Sequence, residues 1–256
     1  MGSLKNKINL YKGDCLEIMK DIPDKSVDMI LSDLPYGITA CKWDSVIPFE
    51  PLWEQYNRIV KDNSAIVLFA TQPFTTKLIY SNINNYKYSW VWDKEVCGSF
   101  ALAKIRPMVV TEDICVFSST KKKVKYYPQM ENADPKTDRG LNNGTTGSEV
   151  TFNGNSIAKS SSDYNIKLRY PKNIIKYSKF NAECNSSNRV HPTQKPVTIL
   201  EYLIKTYTKE DEMVLDNCMG SGSTGIACLK TNRNFIGIEK DDKYFDIAYN
   251  RINRLI

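Results

Sequence analysis

The apolar stretch Met213–Asp216 (MVLD) runs straight into Asn217-Cys218-Met219-Gly220-Ser221-Gly222-Ser223-Thr224-Gly225, and this passage constrains the fold more than any other part of the chain. An apolar run ending in an acid reads as a buried strand, and Ser223–Lys230 beyond it reads as a helix. Glycines at 220, 222 and 225 let the backbone turn tightly and approach a ligand, with the helix N-terminus facing it. The next strand, Phe235–Glu239 (FIGIE), ends in an acid placed to accept hydrogen bonds from a ribose diol. Together these features imply an α/β sheet that holds a nucleoside at its carboxyl edge. A tight turn with no ligand would leave Asp216 and Glu239 without a purpose.

Formally, Gly220-x-Gly222-x-x-Gly225 matches the dinucleotide pattern of NAD enzymes. Its position argues otherwise. Only one further strand–helix unit follows, Phe235–Glu239 and Asp242–Leu255, whereas a complete dinucleotide domain needs several. Asp216, at the end of the first strand, suits the positively charged tail of a cofactor such as S-adenosylmethionine.

The remaining elements lie mostly upstream. Residues 7 to 118 alternate strands with helices. Lys7–Tyr11, Val27–Leu31, Ala65–Ala70, Tyr88–Trp92 and Glu112–Phe117 read as strands. Leu16–Lys20, Pro51–Val60 and Phe74–Tyr80 read as helices, the second with Leu52, Tyr56 and Ile59 on one side. Thr193–Tyr207 is a further helix. Such alternation predicts a parallel sheet covered on both faces. A chain of 256 residues accommodates one such domain with a smaller inserted lobe.

The segment 119–190 is different in kind. It carries 13 Lys and Arg against 6 Asp and Glu, while the rest of the chain carries 22 against 23, so the whole net charge of +6 originates there. Loop signals (Asn142-Asn143-Gly144, Ser160-Ser161-Ser162) alternate with aromatics, which predicts a small loop-rich lobe. A localised basic surface points to a polyanion, with Lys121, Lys122, Lys123, Lys125, Arg169, Lys172 and Lys176 as candidate phosphate contacts and the 126–166 loops as candidate base readers. The seven cysteines include no C-x-x-C pair, which argues against a structural zinc site and for reduced thiols in a cytosolic protein. No metal ligand set is expected. No apolar run approaches the roughly 20 residues of a membrane helix, and no signal-peptide core is visible, so a cytoplasmic protein is expected.

Just beyond Val27–Leu31 stands Asp33-Leu34-Pro35-Tyr36, a polar-proline-aromatic turn at the ligand-binding edge. With the glycine turn it resembles the D/N/S-P-P-Y/F signature of amino-methyltransferases. The chain as a whole resembles the β-group of DNA amino-methyltransferases, in which the catalytic motif precedes the cofactor motif. Gly13-Asp14-Cys15, the DLPY stretch with Cys41-Lys42-Trp43-Asp44, Glu112–Phe117, Arg169–Ser178, His191-Pro192-Thr193-Gln194-Lys195-Pro196, the glycine turn and Ile236-Gly237-Ile238-Glu239-Lys240 match in order. Leu34 departs from the usual Pro, but the role of that position is a backbone carbonyl.

The resemblance implies a class I S-adenosylmethionine-dependent methyltransferase fold: α/β, Rossmann-like, circularly permuted, with a mostly parallel seven-stranded sheet and a basic target-recognition lobe. It assigns 1–118 to catalysis, 119–190 to target recognition and 191–256 to cofactor binding. The implied reaction moves a methyl group from S-adenosylmethionine to adenine N6 of a flipped base in double-stranded DNA. Asp33 and the Leu34 carbonyl would accept hydrogen bonds from the amine, Pro35 would fix the turn, and Tyr36 would stack on the base. Asp14 would meet the cofactor adenine and Glu239 the ribose. Asp216, Gly220 and Thr224 would surround the methionine portion, with Lys195, Pro196 and His191 closing over it. Cys15, Asp33, Gly222, Ser223 and Lys240 complete the implied cofactor set. Asp at position 33, rather than Ser, favours adenine N6, with cytosine N4 as the alternative. An RNA or protein methyltransferase and a non-catalytic DNA-binding module are the other readings. Implied partners are DNA, a second copy of the chain, and a cognate restriction endonuclease.

Overall fold

The computed structural model describes residues 7–37, 45–97, 100–120, 123–132, 150–152, 155–158, 168–178 and 194–256. The chain divides into two compact units, Met1–Tyr127 with Asn173–Ile256, and Pro128–Lys172. Expectations for Cys41–Asp44, Lys121, Lys122, His191 and most of the 126–166 loops lie outside the described residues.

In the larger unit, β1 (Ile8–Lys12) leads into the short helix α1 (Cys15–Ile18), and β2 (Val27–Asp33) is followed by α2 (Phe49–Ile59). Then come β3 (Val60–Ala70), α3 (Phe74–Ser81), β4 (Tyr86–Asp93) and β5 (Thr111–Phe117). The smaller unit contains the antiparallel pair β6 (Glu131–Asn132) and β9 (Leu168–Arg169), and the hairpin β7 (Val150–Phe152) with β8 (Asn155–Ala158). The chain re-enters the larger unit as β10 (Ile174–Lys176) and finishes with α4 (Val197–Tyr207), β11 (Met213–Asp216), α5 (Ser223–Lys230), β12 (Asn234–Glu239) and α6 (Asp242–Asn253).

The main sheet has eight strands in the order β1-β12-β11-β2-β3-β5-β4-β10. All neighbours are parallel except β5, which runs antiparallel to both β3 and β4. The expected count of seven is corrected by β10, three residues from the basic segment that add to β4 through Ile174↔Val91 and Lys176↔Asp93. Only Ile175 of this strand is buried, so no alternating pattern announced it.

Strand residues alternate between two cores. Met29, Leu31, Val67, Phe69, Ile114 and Val116 face α4, α5 and α6. Ile30, Ile66, Leu68, Cys115, Phe117 and Ile238 face α1, α2 and α3. Both faces are covered, which is why these strands read as continuous apolar runs. β3 begins earlier than its apolar run because Val60 already pairs with Val27. The polar residues after it are absorbed by a register shift in which Asn63 takes φ 63°. Among the described residues no helix is long and apolar enough to cross a membrane.

The permuted strand order makes β11 and β2 neighbours, with Val214↔Met29 and Leu215↔Ile30 in register. Asp216 and Asp33 therefore end adjacent strands although 183 residues of sequence separate the two positions. This is the carboxyl edge of the sheet, where α/β folds bind ligands.

Candidate active site

Within the larger unit the carboxyl edge opens into a cavity of about 690 Å³. Its walls come from the Gly13–Leu16 and Asp33–Tyr36 stretches, the Gln194-Lys195 pair, the glycine turn and the end of β12. Six acids (Asp14, Asp33, Glu112, Asp216, Glu239, Asp241) and two lysines (Lys195, Lys240) line it, so it is acidic. Such a wall suits a cationic ligand and disfavours a pyrophosphate.

Gly220 and Gly222 carry the turn after β11. Gly222 precedes α5 with φ +79°, and a Cβ there would sit 3.0 Å from Ala248 and Ile252, so α6 packs on the bare backbone. Gly220 has φ +52° and would meet nothing within 4 Å. Its conformation favours glycine and its exposed side is open.

Asp216 anchors this turn. Its Oδ1 accepts from Ser32 Oγ (2.9 Å) and the Cys218 backbone N–H (3.1 Å), and its Oδ2 accepts from Thr224 Oγ1 (2.6 Å). Burial pushes its carboxyl up to about 6, against the pull of Thr224 and the Cys218 amide. An ionised Asp216 would add to the attraction of a cation bound in the cavity. Cofactor affinity is therefore expected to hold above about pH 7 and to weaken below about pH 6, by up to roughly tenfold per pH unit. Calorimetric titrations of S-adenosylmethionine from pH 5 to 8 check this, and Asp216→Asn should remove that acid limb.

Glu239 ends β12 with Oε2 accepting from Gly220 N–H and Oε1 from Asp241 N–H, both at 2.8 Å. Each oxygen retains a lone pair for a ribose hydroxyl. Asp14 caps α1 by accepting from Leu16 N–H (3.0 Å), and its other oxygen holds Lys240 at 3.0 Å. Ser223 lines the cavity with a buried hydroxyl that has no hydrogen-bond partner among the described residues. Acidic walls, paired strand-end acids, an open glycine and an orphaned hydroxyl fit a nucleoside carrying a cationic tail.

Asp33 belongs to a five-member polar cluster with Tyr36, Lys94, Glu112 and Lys195. Lys195 Nζ lies 2.6 Å from Asp33 Oδ2 and 2.9 Å from Glu112 Oε1, and 5.0 Å above the Phe69 ring. Tyr36 donates its hydroxyl to Asp33 Oδ1 (2.5 Å), with Glu112 Oε1 at 3.1 Å, and Lys94 Nζ stands 3.7 Å from Glu112 Oε2. Burial raises the Asp33 carboxyl, opposed by Lys195 and aided by the Glu112 charge. Burial also acts on Glu112, but Lys195, with help from Lys94, brings it below the ordinary carboxylate range. The Tyr36 ring packs 5.0 Å from Phe74, and the Leu34 side chain is buried in the α1–α2–α3 core, which fixes the turn.

The structure thus gathers Asp14, Cys15, Asp33–Tyr36, Lys195, Asp216, Gly220, Ser223, Thr224, Glu239 and Lys240 around one cavity. Lys195 is placed on Asp33, not at the glycine turn. Pro196 stands at the N-cap of α4. Glu112, Asn217, Tyr56 and Ser32 were missed as site residues. The acid pair Glu112-Asp113 opening the strand Glu112–Phe117, which also matches a family motif, was the available signal for Glu112. The others depend on partners far away in sequence.

The basic residues divide. Lys125 Nζ sits between Asp28 (3.4 Å) and Glu212 (3.1 Å), at the start of β2 and opposite Asp33 along the strand. The amine is tied into the fold by two acids, which compete with the phosphate contact expected of it. Lys123 is exposed, whereas Arg169 and Lys172 belong to the smaller unit. Lys176 is exposed at the carboxyl end of β10, 3.9 Å from Asp93.

A family model described as DNA methylase, of the N6/N4 type, matches residues 27–250. The chain is 23% identical over 256 residues to the type II methyltransferase M.HpaI of Haemophilus parainfluenzae, covering 95% of this chain and 74% of that one. It superposes on the crystal structure of an M1.HpyAVI–SAM complex with a TM-score of 0.60 at 23% identity, covering 96% of this chain and 99% of the other. The PvuII DNA methyltransferase, described as cytosine-N4-specific, gives a TM-score of 0.65 at 15% identity over 97% and 91% of the two chains.

Proposed function

Because the chain belongs to the N6/N4 family of DNA methylases, we propose that it methylates the N6 amine of adenine in double-stranded DNA, with S-adenosylmethionine as donor. The observation that carries this reading is the adjacency of Asp33 to an acidic nucleoside cavity at the ends of β2 and β11. The donor supplies an activated methyl group on a sulfonium, open to direct displacement by the amine. The acidic lining also speaks against the dinucleotide reading of the glycine motif.

An exocyclic amine is a weak nucleophile because its lone pair is delocalised into the ring. Asp33, with the Leu34 carbonyl, accepts its N–H hydrogens and lets the nitrogen rehybridise. Asp33 Oδ2 must first be released by Lys195, and Glu112, already 2.9 Å from that amine, retains the charge. Tyr36 lines the cavity beside Asp33 and offers its ring to the extruded base. Asp14 and Glu239 would hold the nucleoside, and Asp216, Ser223 and Thr224 the methionine portion. Cysteine adducts, as in cytosine-C5 chemistry, have no place in this scheme.

DNA methylated by the protein and digested to nucleosides is expected to yield N6-methyladenine. Exclusive N4-methylcytosine would overturn the adenine assignment. Replacing Glu112 by Gln leaves Lys195 gripping Asp33 alone and removes a charge that holds the Asp33 carboxyl up. The expected result is a kcat reduced about tenfold and an acid limb of the pH–rate profile moved to lower pH.

The proposed DNA contacts are Arg169, Lys172 and Lys176, with Lys121–Lys123 as further phosphate partners. Lys176→Ala should reduce the slope of log K against log salt by about 0.9, whereas Lys125→Ala should leave it unchanged. Fluorescence-anisotropy titrations at several salt concentrations separate the two. The smaller unit is the proposed target-recognition region. We further place the enzyme in the cytoplasm as a homodimer, beside a cognate restriction endonuclease.

A further inference from the structure

We infer that Cys15 and Cys218 form a thiol pair under the nucleoside seat, and that oxidation by a hydroperoxide joins them in a disulfide that bars the cofactor. The inference rests on the proposed cofactor reading of this cavity. Cys15 opens α1 directly after Asp14, and Cys218 follows β11 two residues after Asp216, so both cysteines come from cavity-lining turns. A single amide joins them: Asn217 Nδ2 lies 3.5 Å from each sulfur. Its orientation is fixed by Tyr56, whose hydroxyl donates to Asn217 Oδ1 at 2.5 Å. The amide therefore presents its N–H groups, not its carbonyl, to both thiols.

Hydrogen bonds from the Cys218 thiol and from Asn217 lower the Cys15 thiol against the effect of burial, whereas Cys218 is held well above its ordinary value. Cys15 is thus the attacking thiolate and Cys218 the resolving thiol. Cys15 and Cys218 line the cavity, whereas Cys115 and Cys228 are fully buried away from it and Cys97 is exposed elsewhere.

In the first step the Cys15 thiol loses its proton to solvent and the resulting thiolate attacks one peroxide oxygen. The O–O bond breaks, leaving a sulfenic acid and a hydroxide that takes up a proton. Cys218 sulfur then attacks the sulfenic sulfur. The S–O bond breaks and hydroxide departs with the Cys218 proton as water. Two thiols and one hydrogen peroxide become one disulfide and two waters. The new bond draws together the Cys15 and Cys218 turns, which both line the cavity, and so narrows it.

The full chain is treated with hydrogen peroxide, quenched with N-ethylmaleimide, and divided between non-reducing peptide mass spectrometry and calorimetric titration with S-adenosylmethionine. A linked Cys15–Cys218 peptide is expected, with affinity more than about tenfold lower and restored by dithiothreitol. S-adenosylhomocysteine added beforehand should suppress the link. Cys97→Ser should behave identically, which excludes Cys97, exposed among the described residues, as the cause. Separate alkylation of Cys15 and Cys218 after oxidation overturns the inference, as does an unchanged affinity of the linked protein. Failure of the reduced protein to bind S-adenosylmethionine would instead overturn the cofactor reading, because the link is scored by mass alone.

Discussion

Asp33→Ala is expected to lower kcat by about 10³-fold, a loss comparable to removing a preorganised acceptor from a transition state. The dissociation constant for S-adenosylmethionine should change little, because Asp14, Asp216 and Glu239 are untouched. A substitution in a buried ion pair often fails for a duller reason, when the surviving partner is left as an uncompensated charge. Here that cost is limited. Lys195 keeps Glu112 at 2.9 Å, and Glu112 is already its second carboxylate. The variant should therefore remain folded and bind cofactor while failing to transfer. Thermal unfolding and calorimetry establish the first two points, and single-turnover methylation of DNA the third. Asp33→Asn retains one carbonyl acceptor and should fall between Ala and the native residue. Native activity in Asp33→Ala would remove Asp33 from the reaction altogether.

The parts of this site legible in the sequence are those whose signal is local. The glycine turn needs only consecutive residues: an apolar strand, positive φ at 220 and 222, and a helix that begins at Ser223. Glu239 was visible because it ends a strand of alternately packed apolar residues. Asp33 was visible because a proline and an aromatic residue follow it just after a buried strand. What the residues alone did not show is that β11 lies beside β2, for strand order is a property of crossovers and not of composition. The ordered motifs of the family carried that link.

Misreadings follow the same logic. Lys125 sits in a lysine run, and nothing nearby distinguishes a solvated amine from one held by Asp28 and Glu212, 97 and 87 residues away. From sequence Tyr56 reads as one residue of an apolar helix face. Its ring is indeed buried, but its hydroxyl orients Asn217 across 161 residues. β10 escaped notice because a three-residue edge strand shows too little periodicity to register. Long-range polar pairs and short edge strands are where a one-dimensional reading runs out.

Removing Lys195 should have a larger effect on the fold than removing Asp33. Lys195→Met leaves Asp33 and Glu112, both within 3 Å of the lost ammonium, facing one another across the Tyr36 hydroxyl. Lys94, 3.7 Å from the far oxygen of Glu112, is a weak substitute. Two carboxylates in such a site cannot both stay ionised, so one takes up a proton, and Asp33, already raised, is the one to do so. A carboxyl whose pKa is higher in the folded state binds a proton that the unfolded chain has lost. The variant's stability should therefore fall as pH rises from about 4 through the new Asp33 value, then level off. At about pH 8 the deficit should reach about 3 kcal/mol relative to the native chain, and most of it should be recovered near pH 5. Activity should move the other way, with kcat near neutrality lower by about 10²-fold and partly restored at higher pH as Asp33 ionises. Urea unfolding at both pH values, beside a pH–rate profile, tests the two limbs together. A deficit that did not vary with pH would mean that Lys195 acts through packing alone, and the picture of one ammonium shared by two acids would have to be given up.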